Sequence, residues 1–403
     1  MHPDFDVIVI GGGPSGATAA RFCAQAGLRT LLIEKERFPR YKPCGGCLSN
    51  KALGLLDFDL SPVAENMMYG AKITYRLKDP FIVHSKTPIA VVVMRDRFDQ
   101  FLVNKALDEG VQFLEGERVV GVHGRGELIE VVLKGERKLS CEYLVGADGP
   151  GSIVARSYSL SPPGKTDNKI GLESEVPLEA IRDFPREEFS LLLFDFGQIP
   201  NGYGWVFPKK NAISIGVGGR FGEGAKIKPR EYFADFVRNL KFVNERKVGR
   251  VIAHPLPCFY DANQRVSHGK VLLTGDAGCL MDPLTGEGIY YAVQSGKLAA
   301  EAIVQSKQKG ILPSGPYERS VRSALFEELK CALRVSHVIY RSMKLSYRML
   351  MYYPELGDLC LQVLSGQTTY QVFVVKVKER MKGLVKGHFG EKIKRAITGS
   401  WPR

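Results

Sequence analysis

Residues 6–34 read DVIVIGGGPSGATAARFCAQAGLRTLLIE, and this stretch decides the fold. An apolar strand (Val7–Ile10) runs into Gly11-x-Gly13-x-x-Gly16. Small and apolar residues then follow at helical spacing (Ala17, Ala20, Cys23, Ala24), and a second strand (Thr30–Ile33) ends in Glu34. That is a βαβ unit carrying a dinucleotide fingerprint. Gly11 permits the tight turn, Gly13 lets the backbone approach a pyrophosphate, and Gly16 lets helix and strand pack closely. The helix N-terminus, at Ser15, meets the phosphate charge, and Glu34 is placed to accept from ribose hydroxyls.

The fingerprint does not separate FAD from NAD, but two later motifs do. YLVGADGPGSIVAR (143–156) is a strand followed by Asp148-Gly149. KVLLTGDAGCLMDPLTGEGIYYAVQSGKLAAEAI (270–303) is a strand, Gly275-Asp276, a Pro-Gly loop and a long helix of small residues. An Asp at the end of a core strand suits ribityl hydroxyls. A helix opening near Gly286, Gly288 and Ile289 presents N–H groups and a positive dipole end to a flavin ring. FAD is therefore the expected cofactor.

The chain has 403 residues, 44% apolar and 25% charged, enough for two or three structural units. Its apolar runs, such as Ile89–Met94, fall short of the roughly 18–20 residues that span a bilayer. Asp4 and Asp6 stand where a signal peptide would be basic, so a cytoplasmic location is expected. Eight dispersed cysteines do not form a secreted disulfide framework, and Cys23, Cys141 and Cys279 read as core residues. Much of the +13 net charge lies from Arg319 to the end, where 16 Lys and Arg face 6 Asp and Glu. No zinc-finger spacing or nucleic-acid-reading motif accompanies that charge, so no nucleic-acid partner is expected. An anionic membrane surface fits it better. Val374, Val377, Met381, Leu384 and Val385 are expected on one side of a tail helix, with Lys376, Lys378, Lys382, Lys386 and Lys392 around the other.

Residues 37–53, RFPRYKPCGGCLSNKAL, hold the one close cysteine pair. A metal site needs about four ligands, which one C-x-x-C without paired histidines does not supply, so no metal is expected. A redox pair would open a helix after a strand, and the glycines fit that poorly. The remaining reading puts a glycine turn, Gly45 included, against the flavin with Cys44 facing substrate. YGWVFP (203–208) reads either as a core strand with alternating aromatics or as a pocket wall.

These motifs, with MRDRFDQFL at 94–102, resemble the geranylgeranyl reductase family, within the FAD-dependent fold shared with the aromatic hydroxylases. The resemblance implies that Arg95 reaches the FAD phosphate region, Asp276 the ribityl chain and the Gly286–Gly288 loop the isoalloxazine. It gives Cys44 the role of the active-site cysteine, and Tyr203, Trp205 and Phe207 that of lining a prenyl pocket beside Pro283. Tyr203 and Trp205 join Cys44 as catalytic candidates, because their rings would tolerate positive charge developing on the alkene. Cys47 departs from the family, where a small residue is usual.

The implied function is reduction of isolated double bonds in an isoprenoid lipid, with NADPH or a reduced protein as electron donor. GVGGRFGEG (216–224) is no second nucleotide fingerprint. A flavin hydroxylase or halogenase shares the fold, although a halogenase would want Trp-x-Trp where Tyr203-Gly204-Trp205 stands. A flavin-bound electron-transfer or scaffold protein is the non-enzyme reading.

The expected architecture is α/β: a Rossmann-type FAD-binding unit (1–70, 95–165, 250–308), an inserted, largely antiparallel substrate-binding sheet (71–94, 166–249) and a C-terminal helical region (309–403). AKITYRL, IAVVVM, FSLLLFDFG and AISIGVGG are predicted as strands of the inserted sheet.

Overall fold

The computed structural model describes residues 2–160, 169–221 and 228–386, with side chains through Arg380. The quoted fingerprint forms β1 (Phe5–Ile10), α1 (Pro14–Gln25) and β2 (Thr30–Glu34), with β1 and β2 parallel. Val7, Ile8 and Val9 are fully buried, and all of β2 is buried. A parallel strand covered on both faces reads as a continuous apolar run. β1 pairs on its other side with β11 (Lys138–Gly146), β11 with β18 (Val271–Leu273), and β2 with β8 (Gln112–Glu115), all parallel. β17 (Ser267–His268) closes one edge, and β9 (Val119–Arg125) with β10 (Leu128–Leu133) extends from β11. The loops after β1, β11 and β18 carry the three glycine motifs, so the topology gathers them at the carboxyl ends of adjacent strands, where ligands of open α/β sheets bind.

The second sheet has the order β16 (Ile252–Pro255), β12 (Lys169–Pro177), β15 (Ala212–Arg220), β14 (Tyr203–Pro208), β13 (Leu191–Phe196), β5 (Gly70–Tyr75) and β6 (Lys78–His84). It is antiparallel except for β5 with β13. One face packs under helix α5 (Pro229–Asn239), burying Leu172, Val206, Ile215, Val217, Phe233 and Phe236. The other faces the first sheet.

IAVVVM departs from expectation. Ala90–Val93 (β7) joins a small third sheet with β3 (Cys47–Ser49) and β4 (Ala64–Met68). All four residues of β7 are buried, and a run without polar alternation carries no register signal to assign it to one sheet. The expected boundary at 250 falls just before β16, which pairs with β12 in the second sheet.

Helices complete the chain: α2 (Asn50–Leu53), α3 (Arg95–Leu107), α4 (Ile153–Ser157), α6 (Ile289–Lys309), α7 (Ser314–Val321), α8 (Glu327–Arg341), α9 (Met343–Tyr352), α10 (Pro354–Ser365) and α11 (Tyr370–Lys386). Among the described residues no helix is long and apolar enough to cross a membrane. In α11, Phe373 and Val374 pack against a core of Ala332, Val335, Val363 and Tyr370. Val374 and Val377 are thus half-buried, and Val372 and Val375 are the exposed valines. The side chains of Met381, Lys382, Leu384, Val385 and Lys386, and all of Lys392, lie outside the described residues.

Candidate active site

One cavity of about 1120 Å³ runs from the β1–α1 turn to the face of the second sheet, with the motifs of the chain along its walls. Its nucleotide end is built by glycine sterics. A Cβ on Gly11, where φ is +105°, would lie 2.2 Å from the Ala147 carbonyl oxygen, and one on Gly16 would lie 1.8 Å from the Gly11 oxygen. Both positions are closed by protein. At Gly13 the nearest atom to such a Cβ is an Arg40 nitrogen at 3.8 Å. That open space lies at the N-terminus of α1, which has no side-chain cap, so its first N–H groups are available to a phosphate.

Glu34 accepts from the Gly12 N–H (2.8 Å) and pairs with Arg40 at 3.5 Å. It therefore braces the glycine turn as well as lining the cavity. Asp148 caps α4 through Oδ2, accepting from Ile153 N at 2.7 Å, while its buried Oδ1 has no hydrogen-bond partner. A buried orphan acceptor beside a cavity fits a ligand hydroxyl. Asp276 lines the same cavity, with Oδ1 3.8 Å from the position a Cβ on Gly288 would take.

The Asp282–Glu287 loop is held from several sides. Asp282 accepts from Leu284 N (2.7 Å), Thr285 N (3.0 Å) and the Tyr370 hydroxyl (2.9 Å). Lys169 donates to the Pro283 carbonyl (2.8 Å), Tyr340 to that of Leu284 (2.7 Å), and Tyr203 to that of Thr285. With its carbonyls tied back, the loop delivers Gly288 and Ile289 to the cavity at the start of α6, which also lacks a side-chain cap. The residues present fit FAD: two uncapped helix ends, an open Gly13, and an unsatisfied Asp148 oxygen.

Across the second sheet, side chains on the cavity face form rows. Glu173, Gly216, Trp205 and Phe194 are successive partners. The rows beside it read Glu175, Ser214, Phe207 and His254, Gly171, Gly218, Tyr203, Phe196. Glycines thus floor a trough between an aromatic wall and a polar wall. The Trp205 indole lies over Gly216, where a Cβ would come within 2.1 Å of its ring. Phe194 meets Tyr203 and Phe207 edge-on, with centroids 5.5 and 5.4 Å apart. Pro283 borders the same space.

The CGGC turn lies on this wall. A Cβ on Gly45 would come within 2.7 Å of the Phe207 ring and 3.3 Å of Trp205 Nε1. Cys44 faces the cavity, and its sulfur accepts from the Gly46 N–H at 3.4 Å. Cys47, at the start of β3, is a separate free thiol that burial pushes up from its ordinary range. Arg95 is buried and forms a bidentate pair with Asp99 (2.8 and 2.9 Å). Asp99 also pairs with Arg40 at 3.0 Å.

The polar wall was not picked out from the sequence. Glu173 on β12 accepts from Tyr41 (2.5 Å) and from Ser214 (3.3 Å), and Ser214 accepts from Trp205 Nε1 at 3.2 Å. Lys42 and His254 meet at 2.5 Å; burial, then the Lys42 charge, pushes His254 down to about 3, so its imidazole is neutral. The available signal was KIGLESEV, whose carboxylates at 173 and 175 share one face of a strand while Ile170, Leu172 and Val176 take the other.

A family described as FAD binding domain matches residues 4–306. An uncharacterised protein of Methanosarcina barkeri is 32% identical over 371 residues, 92% of each chain. The chloroplastic geranylgeranyl diphosphate reductase of Nicotiana tabacum is 29% identical over 318 residues, 75% of this chain and 67% of its own. The menaquinone reductase of Mycolicibacterium smegmatis is 28% identical over 316 residues, 75% and 76% of the two chains. A solved geranylgeranyl bacteriochlorophyll reductase-like protein of Thermoplasma acidophilum superposes with a TM-score of 0.73 over 95% of this chain and 98% of its own, at 22% identity. A flavin-dependent brominase does so at 0.68 over 94% and 99%, at 21% identity. The two superpositions show a shared fold, and the sequence matches carry the relationship further. The chain belongs to the FAD binding domain family, as a FAD-dependent oxidoreductase with relatives named geranylgeranyl diphosphate reductase and menaquinone reductase.

Proposed function

We propose that the protein saturates isolated double bonds of an isoprenoid chain. The observation that carries this reading is the glycine-floored aromatic trough, continuous with the FAD cradle and closed on one side by Cys44. An isolated alkene has no carbonyl to polarise it, so positive charge develops on one carbon as the bond is reduced. The π faces of Trp205, Tyr203 and Phe207 stabilise such charge. Bound flavin, once reduced by a nicotinamide or a protein donor, supplies the hydride. Two relatives named as reductases of geranylgeranyl diphosphate and menaquinone support the class of chemistry.

The test is an anaerobic single turnover of the dithionite-reduced holoenzyme with geranylgeranyl diphosphate and with a prenylated quinone. Product masses are expected to rise in steps of two hydrogens as the flavin reoxidises. Oxygen-dependent turnover that adds oxygen to the product, with no gain of hydrogen pairs, would replace this reading with a hydroxylase.

The same reading requires access to a lipid, and we assign it to the C-terminal helices. Val338, Leu345, Val372 and Val375 are exposed, and Arg334, Arg341, Lys344, Lys376 and Lys378 are exposed on the same helices. Each cation near an anionic bilayer contributes about 1 kcal/mol, screened by salt. The protein is expected to sediment with anionic liposomes at low salt and to be released at high salt or on deletion of 372–403. Retention in the supernatant at low salt would remove the membrane role.

A further inference from the structure

We propose that Glu173 is the proton reservoir of the reduction, delivering to the alkene through the Tyr41 hydroxyl; this rests on the reductase reading above. Glu173 is 2% exposed, yet its carboxyl borders the cavity. One oxygen accepts from Tyr41 and the other from Ser214, which in turn holds the Trp205 indole. Tyr41 is 44% exposed and stands three residues before Cys44, so the pair Tyr41–Glu173 links solvent to the cavity.

A second observation places a proton here. Glu175, on the same face of β12, is paired through Oε1 with Lys209, while its Oε2 is buried without a donor. An ionised Glu173 offers it nothing. A protonated Glu173 supplies the missing hydrogen bond to Glu175, whose carboxyl burial pushes up. Burial, and then the Glu175 charge, pushes Glu173 up to about 8, whereas Tyr41, Lys209 and Ser214 oppose the shift. Lys42, His254 and Arg95 stand nearby along the cavity, with Lys42 drawn down by burial. Cys44, by contrast, has a sulfur that accepts from the Gly46 N–H.

The step balances as follows. The alkene π bond breaks as a hydride, which the bound reduced flavin would supply with its two electrons, forms one C–H bond. The Tyr41 hydroxyl turns from Glu173 to the alkene and its proton forms the second C–H bond, while the Glu173 proton leaves Glu175 for the phenol oxygen. The Glu173 carboxylate then recovers its proton from solvent through Tyr41. Each double bond consumes one hydride and one proton.

The experiment is anaerobic single turnover of dithionite-reduced holoenzyme with geranylgeranyl diphosphate, for wild type, Glu173→Gln and Tyr41→Phe, across pH. Wild-type reoxidation is expected to slow as pH rises through 8, as the reservoir empties. Glu173→Gln is expected to keep its FAD, react about 10²-fold more slowly, and lose that pH limb. Tyr41→Phe should slow the reaction comparably. Infrared difference spectra of the wild-type holoenzyme should show a protonated-carboxyl band at neutral pH that titrates near 8 and is missing in Glu173→Gln. An active wild type matched by both variants, or a neutral-pH spectrum without that band, overturns the proposal. A wild-type flavin that no prenyl chain reoxidises overturns the reductase reading, and this proposal falls with it. If Glu173→Gln does not fold, Tyr41→Phe and the wild-type band decide.

Discussion

Replacing Gly13 with valine is expected to give a folded protein that purifies without flavin absorbance. The three fingerprint glycines divide by what closes on them. Side chains at Gly11 and Gly16 would collide with protein backbone, at 2.2 and 1.8 Å, so their substitution damages the fold itself. At Gly13 a Cβ meets nothing nearer than Arg40 at 3.8 Å, so valine is accommodated by the protein and its methyl groups occupy the pyrophosphate's approach. The expected loss of FAD affinity is at least about 10³-fold, or 4 kcal/mol and more. Because a ligand that binds only the native state stabilises it by about 3–4 kcal/mol at 100–1,000 times its dissociation constant, thermal unfolding should fall to that of apo wild type and no further. The flavin-to-protein absorbance ratio, circular dichroism and melting temperature check this together. Full flavin occupancy in Gly13→Val would place the pyrophosphate elsewhere. Melting below apo wild type would show that the side chain does collide.

Cys44→Ala is expected to retain FAD and to lose about 10²-fold or more of turnover, whereas Cys47→Ala keeps turnover and loses about 1 kcal/mol of stability. The difference follows from where the two sulfurs sit. Cys44 faces the cavity, accepts from the Gly46 N–H, and stands beside the glycine turn that lies on Phe207 and Trp205. Its removal leaves the Arg95–Asp99 pair intact but takes the thiol from the trough wall. Cys47 pairs across to Val92 at the start of β3 and packs against a core containing Met68 and Ile89, so alanine there leaves a small cavity and no chemical vacancy. Equal loss of turnover from both substitutions, with two thiols disappearing on oxidation, would instead make the pair a redox disulfide.

By itself the sequence determined what depends on short-range chemistry. The βαβ unit was legible because strand period, glycine spacing and terminal acid fall within 29 consecutive residues, and each is a local steric or electrostatic requirement. The Gly275–Ile289 segment was legible for the same reason, as was YGWVFP as a strand, since strand alternation is written within six residues. What depends on pairing across long separations was not. The run Ala90–Val93, buried on both faces, has no alternation to assign it, and only its pairing with β3 and β4 put it in the third sheet. Asp148 reads as a ligand to any hydroxyl, yet half of its carboxylate is committed to capping α4, which the tertiary structure decides. The valines of the tail helix were assigned to a lipid side by composition, and packing on Val335 and Tyr370 turned Val374 inward and left Val372 and Val375 outside. Glu173 is the clearest case. Its partners Tyr41 and Ser214 lie 132 and 41 residues away, and its proton is held by burial and by a second carboxylate. A sequence names the acid, but charge state is a property of the surrounding volume, and that volume exists only once the two sheets have closed on each other.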